Sequence, residues 1–434
     1  MTLQLRTPES KTGKLFVIIA SVSATLFAVL LVSNFSGGEK RVKQDIPRLY
    51  QVADTQFQRS MGVMLGPNIV AGNKVETLLN GEQIFPSMLK AIREARQSIN
   101  LETYIYWSEQ IGLEMADALA ERARAGVKVH VLIDWVGSSK LDGAAIDKMK
   151  QAGVEFEQYH PLRWYSLGRI NNRTHRKLMI VDGSIGFTGG VGIAAIWTGN
   201  AQDPEHWRDS HFRIEGPVVA QMQAVFMDNW IKTTGRVLHG PAYFPVLPAS
   251  GNLAAQTFSS SPLGGTESMH LMYILAFTAA QKSIYISSAY FVPDDRTRDT
   301  LIDAMKRGVK LKIIMPGPHT DAATVRSSSR GMWGELLEAG AEMYEYQPTM
   351  YHCKVMIVDG LMTSVGSTNF DDRSMRLNDE ANVNVYDADF ANRQTKIFED
   401  DIAKSRRVTY AQWKGRSWQE KAWEHIASYL GPLL

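Results

Sequence analysis

A single cysteine, Cys353, stands in 434 residues, which excludes an intrachain disulfide and any cysteine-rich zinc site. Net charge is nearly absent as well. Against 47 basic residues stand 45 acidic ones, a formal +2, which argues against a protein whose affinity comes from coating nucleic acid phosphates. Between Leu15 and Ser33 both charge and proline are missing, and the next charged residue is Glu39. A run of that length crosses a bilayer as one helix. A secretory signal is the competing reading, with Lys11 and Lys14 as its charged leader. Its apolar core, however, exceeds the usual ~7 to 15 residues and no clean small-x-small site follows, so an uncleaved anchor is expected. Arg6, Lys11 and Lys14 on one side nearly balance Lys40, Arg41, Lys43 and Arg48 on the other, and assign no orientation.

What is present, beyond enough apolar residues for a large core (44%), is a duplication. Helix-like and strand-like patterns alternate from IFPSMLKAIREARQ through SINLETYIYW and GLEMADALAERARAG to VKVHVLIDWV, the mark of an α/β domain. The order returns as LMYILAFTAAQ, SIYISSAYFV, TRDTLIDAMKRG and VKLKIIMPG, and AGVEFEQYHP (152–161) is answered by AGAEMYEYQP (339–348). Two copies of one unit are therefore expected, each within the ordinary domain range. The boundaries drawn are a membrane anchor over 1–40 with its helix at about 15–35, a first domain over 60–240, a second over 241–408 and an amphipathic tail over 409–434. Three prolines in GPAYFPVLPAS mark the linker. The first copy carries an insertion, PLRWYSLGRINNRTH against PTMYH, so Trp164, Tyr165, Arg169 and Arg173 should form a loop beside its histidine.

Each copy holds one conspicuous polar stretch. His175-Arg-Lys177-Leu-Met-Ile-Val-Asp182 is matched by His352-Cys-Lys354-Val-Met-Ile-Val-Asp359. Residues two apart on a strand share a face, so each histidine lies beside its lysine, with Arg176 and Cys353 turned away. Fourteen residues after each histidine come FTGGVG and SVGSTN, whose Gly189, Gly190 and Gly192 face Gly366, Ser367 and Asn369. Lysine neutralises a phosphate oxygen and imidazole attacks phosphorus or shuttles a proton. One copy supplies one imidazole; two copies about a pseudo-twofold axis supply a nucleophile and a general acid. A single such match is weak, but two in register make coincidence improbable, leaving a duplicated scaffold without activity as the bland alternative.

These residues resemble the double HKD signature of the phospholipase D superfamily. Over nearly the whole chain beyond the anchor, the segments NGEQIFPSMLKAI, LETYIYW, HWRDSHFRIEGP, SSAYFVPDDRTRDTL and GSTNFDDRSMRLNDEANV are similar to bacterial cardiolipin synthases. The resemblance implies two phospholipase D-like α/β lobes, each a mixed sheet between helices, with the site at their interface. It implies a membrane-bound phosphatidyltransferase that makes cardiolipin from phosphatidylglycerol, or from another donor such as phosphatidylethanolamine, through a phosphohistidine. A phospholipase D using water or small alcohols is the neighbouring alternative; a noncatalytic lipid-binding scaffold and a nuclease are the remoter ones. Carried over by residue, the catalytic motif residues are His175, Lys177, Asp182, His352, Lys354 and Asp359. The phosphate ligands are Lys177, Lys354, Ser367 and Asn369, and Asp209 and Glu380 orient the histidines. Asp182 and Asp359 are expected to close their strands rather than do chemistry. Gly190 and Gly192 in place of Ser367 and Asn369 make the site lopsided, and the family habit puts the nucleophile in the first copy.

Lysines and histidines can neutralise the phosphate, so no metal or other cofactor is expected, and none of His160, His206, His211, His319 and His425 has a partner at metal-ligand spacing. The expected partners are phospholipids and a membrane, the bacterial cell (inner) membrane held by a single pass, without nucleic acid. In the tail, Trp418, Ala422, Ile426 and Leu430 fall at helical spacing among basic residues. That face lies on the bilayer or packs on the domain; both readings stay open.

Overall fold

A computed structural model describes residues 11–35, 42, 44, 46–162, 171–261 and 268–429. Helix α1 (Lys11–Phe35) is exposed along its apolar length, and among the described residues it is the one helix long and apolar enough to cross a membrane. Helix α2 (Thr55–Leu65) follows.

The first half contains strands β1 (Val70–Leu79), β2 (Ser98–Thr103), β3 (Lys128–Asp134), β4 (Glu155–Tyr159), β5 (Arg173–Thr174), β6 (Leu178–Val181), β7 (Ile185–Gly189) and β8 (Ser210–Glu215). Its helices are α3 (Asn80–Glu94), α4 (Gln110–Arg124), α5 (Gly143–Gln151) and α6 (Val219–Thr234). The second half repeats this as β9 (Leu253–Ser260), β10 (Ser283–Ser288), β11 (Phe291–Val292), β12 (Lys310–Pro316), β13 (Glu342–Tyr346), β14 (Lys354–Val358), β15 (Met362–Gly366), β16 (Phe370–Asp371), β17 (Asn378–Tyr386) and β18 (Ser405–Val408). Its helices are α7 (Ser268–Ala279), α8 (Asp295–Lys306), α9 (Ala323–Gly331), α10 (Trp333–Glu338), α11 (Asp372–Arg376) and α12 (Ala388–Ile402), and the chain ends in α13 (Tyr410–Lys414) and α14 (Trp418–Tyr429).

The patterns read from the sequence account for these elements. In α3, Ile84, Phe85, Met88, Leu89 and Ile92 recur at three- and four-residue steps and are buried together. Strands β2, β3 and β4 run parallel, as do β10, β12 and β13, and each step is a crossover carried by helices.

Each half has its mixed sheet between helices, and the two sheets join edge to edge. Outward from a central seam the order is β1-β8-β7-β6-β2-β3-β4 on one side and β9-β17-β15-β14-β10-β12-β13-β18 on the other. The halves thus follow the same order, and β1 pairs with β9 antiparallel at the seam. Val75, Phe212 and Ile214 of the first half pack in one cluster with Ala255, Val383, Val385 and Phe390 of the second. Burying a side chain such as Phe or Val contributes roughly 1.5–3 kcal/mol, so the halves are held as one body.

One boundary also shifts. Phe57, Met61 and Leu65 of α2 join the core of the second half, against Met269, Met272 and Tyr273 of α7. Residues 60–65, assigned by pattern to the first domain, therefore support the second.

Candidate active site

Arg173 and Thr174 form the two-residue strand β5, which pairs in parallel with Asn378 and Asp379 at the start of β17. The next amide, of His175, donates to Asp379 O at 2.9 Å. On the other side Arg208 N donates to Met350 O at 2.9 Å and His352 N to Arg208 O at 2.8 Å. Each histidine thus enters beside the acid-bearing segment of the opposite half. The alternation of faces follows the strand rule. Arg176 points back to α6, donating to Val225 O at 2.7 Å and Asp228 Oδ2 at 3.1 Å, and Cys353 lies against Ser210 and Arg208 O.

The carboxylates are exchanged between the halves. His175 Nδ1–H donates to Glu380 Oε1 at 2.9 Å, and His352 Nδ1–H donates to Asp209 Oδ2 at 2.6 Å. A carboxylate only accepts, so this contact fixes the tautomer and leaves each Nε2 with its lone pair. Both acids are fully buried. Burial pushes each upward, but His175 and Lys177 pull Glu380, and His352 and Lys354 pull Asp209, to a net value below the ordinary range. Burial lowers His175 to about 4 against the pull of Glu380. It lowers His352 too, with help from the Lys354 ammonium. Both imidazoles are therefore neutral near pH 7.

Lys177 Nζ donates to His175 O at 2.8 Å, and Lys354 Nζ to His352 O at 2.7 Å. Burial lowers Lys177 to about 7, and it lowers Lys354 also. Two buried amines that resist charging are poised to recover their charge when an anion enters. His175, Lys177, His352 and Asn369 line a single cavity of about 220 Å³ together with Tyr104, Trp197, Trp207 and Arg373. Asn369 Oδ1 is buried there, with no hydrogen-bond partner among the described residues.

Ser367 departs from its expected place among the phosphate ligands. Its hydroxyl is fully buried and donates to Glu380 Oε2 at 2.5 Å, while accepting from Ala381 N at 3.0 Å. It steadies the carboxylate that holds His175. The first half reaches the same end by other means: Trp197 Nε1–H donates to Asp209 Oδ2 at 3.1 Å, and its ring packs 5.4 Å from that of His352. Glycine is required around this arrangement. A Cβ on Gly190 would fall 2.2 Å from Asp209 Oδ1, and one on Gly192 would fall 2.9 Å from the Trp197 ring. The lopsidedness is thus a substitution of one tryptophan for a serine and an asparagine.

Asp182 and Asp359 lie away from the cavity. Both adopt left-handed backbone, with φ of 52° and 55°. The Asp182 carboxylate accepts from the amides of Arg96, Gln97 and Ser98, the shortest at 2.7 Å. Asp359 accepts from Gln281, Lys282 and Ser283 in the same way. Each ties the end of its strand to the turn before the neighbouring one.

Of the insertion, Trp164, Tyr165 and Arg169 lie outside the described residues, whereas Arg173 is buried at the cavity. Tyr104, Trp207 and Arg373 lie in segments that carry the family likeness but had no site role assigned, and Trp197 lies in none of them. At the C-terminus the tail packs on the domain along one side of its last helix. Glu424 and Ala427 of α14 are buried, Glu424 pairing with Arg330 and Arg416, while Trp418, Trp423 and Ile426 face outward. Leu430 lies outside the described residues. Among the described residues, no group of three or more His, Cys, Asp or Glu side chains is arranged to hold a metal ion.

Comparison with known proteins places this geometry. A family model described as cardiolipin synthase, PLD-like domain, matches residues 88–230 and 273–402, one segment in each half. The chain is 35% identical over 365 residues to the cardiolipin synthase of Geobacillus kaustophilus, covering 83% of this chain and 72% of that one. It is 36% identical over 369 residues to the probable cardiolipin synthase YwiE of Bacillus subtilis, covering 85% and 73%. In fold it is similar to the crystal structure of a phosphatidylserine synthase from Haemophilus influenzae, with a TM-score of 0.64 at 14% identity over 87% of this chain and 98% of that one.

Proposed function

We infer the reaction from the premise that the chain belongs to the cardiolipin synthase family of phospholipase D-like proteins. It is a phosphatidyltransferase. The donor we propose is phosphatidylglycerol, with phosphatidylethanolamine as a second candidate, and the acceptor is phosphatidylglycerol. The observation that carries this reading is the pair of neutral histidines at one cavity, each held by a carboxylate from the other half.

The donor phosphate lies between Lys177, Lys354 and Asn369. Its charge draws protons back onto the depressed lysines and onto one histidine. His175 Nε2 attacks phosphorus, the bond to the headgroup glycerol oxygen breaks, and His352 gives that oxygen its proton. A hydroxyl of the second lipid then attacks phosphorus and passes its proton to His352, and the P–N bond breaks. Two phosphatidylglycerols thereby yield cardiolipin and glycerol. Ser367 and Trp197 position the two carboxylates.

Helix α1 anchors the enzyme by a single pass in the bacterial cell membrane, and the outward stripe of α14 rests on the same surface. The test is to supply purified full-length protein with labelled phosphatidylglycerol in liposomes and separate the products. Cardiolipin with glycerol release, abolished by His352→Ala, is expected. Phosphatidic acid alone would make the enzyme a hydrolase.

A further inference from the structure

The catalytic groups come in duplicate, but the cavity holds two arginines that do not. Arg173 stands two residues before His175, where the second half has Met350, and Arg373 stands four after Asn369, where the first half has Ile196. Both line the cavity. Arg173 is buried, with 4% of its surface exposed. Its Nη1 lies 3.4 Å from Asp134 Oδ1, and Nη2 has no hydrogen-bond partner among the described residues. Arg173, His175 and Lys177 alternate along one extended segment and so share a face. Arg373 is half-buried, its Nη2 donating to Asn171 Oδ1 at 2.7 Å and to Asn171 O at 3.3 Å.

Burial holds Arg373 below its ordinary basicity, against the pull of Tyr104, Asp371 and Asp134, and the nearby Arg173 charge lowers it further. Asp371 offers little compensation, since burial raises it to about 7. Asp134 forms its ion pair with Arg173, and two positive charges beside an unused buried donor favour a further anion. The reacting phosphate already has the lysine pair, so the arginines are free to serve a second anionic group.

We propose that Arg173 and Arg373 form an acceptor subsite that binds the phosphodiester of the incoming phosphatidylglycerol while its headgroup glycerol reaches across to the oxygen position beside His352. This rests on the synthase reading above and deepens it: the arginines select an acceptor that is itself an anionic phospholipid over water or a free alcohol. The route from the bilayer is short. Asn171, which holds Arg373, also donates from its backbone N to Asn34 Oδ1 at 2.9 Å, at the end of α1. The arginine wall therefore stands where the anchor leaves the membrane.

The test compares two acceptors on one enzyme. An enzyme that releases glycerol must also take it back, so labelled glycerol exchanges into phosphatidylglycerol through the same phosphohistidine without any acceptor phosphate. Full-length wild type, R173Q, R173K and R373Q are assayed in phosphatidylglycerol vesicles for cardiolipin formed and for glycerol exchanged. Loss of a charge-assisted contact should lower the ratio of cardiolipin to exchange by roughly tenfold or more in both glutamine variants, with partial recovery in R173K. If R173Q does not fold, the half-buried Arg373 and the charge-retaining R173K carry the comparison. A wild-type ratio in the folded variants overturns the subsite and leaves the synthase reading intact. Wild type that exchanges glycerol but makes no cardiolipin overturns both.

Discussion

Asp209 lies in the first half but serves the histidine of the second, so neutralising it should injure the leaving-group step rather than nucleophilic attack. In Asp209→Asn the contact to His352 keeps its shape and loses its charge. Two opposite charges about 4 Å apart at an effective dielectric of about 20 interact by about 4 kcal/mol. At about 1.4 kcal/mol per decade, roughly a thousandfold loss in turnover of phosphatidylglycerol follows, within the range for removing general acid catalysis. The assay pairs this donor with a phosphatidyl ester of p-nitrophenol, a leaving group that departs without protonation. D209N and H352A should then recover to within about tenfold of wild type for the first-turnover burst of nitrophenol, because forming the phosphohistidine then needs only the unassisted attack of His175. E380Q and H175A should stay impaired with both donors. Rescue of E380Q in place of D209N would refute either the exchange of acids or the assignment of His175 as nucleophile. Equal impairment of all four on both donors would refute the division of labour altogether.

The pH profile should be displaced from that of free imidazole. His175 works neutral and is lowered to about 4, so kcat/KM should hold on acidification until pH approaches 4. Lys177 works charged and is lowered to about 7 in the empty site, and His352 must be charged to give its proton and is lowered as well. Thus kcat/KM should already fall with rising pH below 7, while kcat persists to higher pH because bound phosphate restores both charges; an acid limb near 6.5 would contradict this. Asp182→Asn and Asp359→Asn keep a residue tolerant of left-handed backbone and lose the charge on three amide contacts. Each should cost about 1.5–3 kcal/mol and lower the melting temperature by a few degrees while turnover per folded molecule stays within about twofold. Lost turnover at an unchanged melting temperature would return these aspartates to the chemistry.

The repeat and the two His–Lys pairs were legible because they rest on short periodicities, and the identities of Asp209 and Glu380 came with the family likeness. Which acid meets which histidine was not legible. That depends on β5 pairing with β17 through two residues, and on a single bridge between Arg208 and Tyr351, contacts between segments some two hundred and some one hundred and forty residues apart. Ser367 read as a ligand because serine suits phosphate; only packing reveals that its hydroxyl is taken by Glu380. Trp197 read as nothing, since an indole in a turn has no spacing signature, yet its bulk explains the glycine at 192. The common sheet was hidden because its joint, β1 on β9, is irregular, with a shift in register between Val70 and Asn73. Arg173 was noticed only as part of an insertion, and its partner Arg373 lies on the other half.

The crossing of the two acids bears on how such a chain could have arisen. One repeat folded alone would possess an imidazole and a carboxylate that cannot meet, so a lone ancestral unit gains a complete site only by associating with its twin. Joining two such units end to end along the β1–β9 seam removes the dependence on concentration. It also frees the two members of each former pair to diverge, which a symmetric dimer encoded once could never do. Serine opposite tryptophan, and arginine opposite methionine, are changes open only after fusion. A lineage that must distinguish one phospholipid from a second one bound at the same moment has reason to keep them.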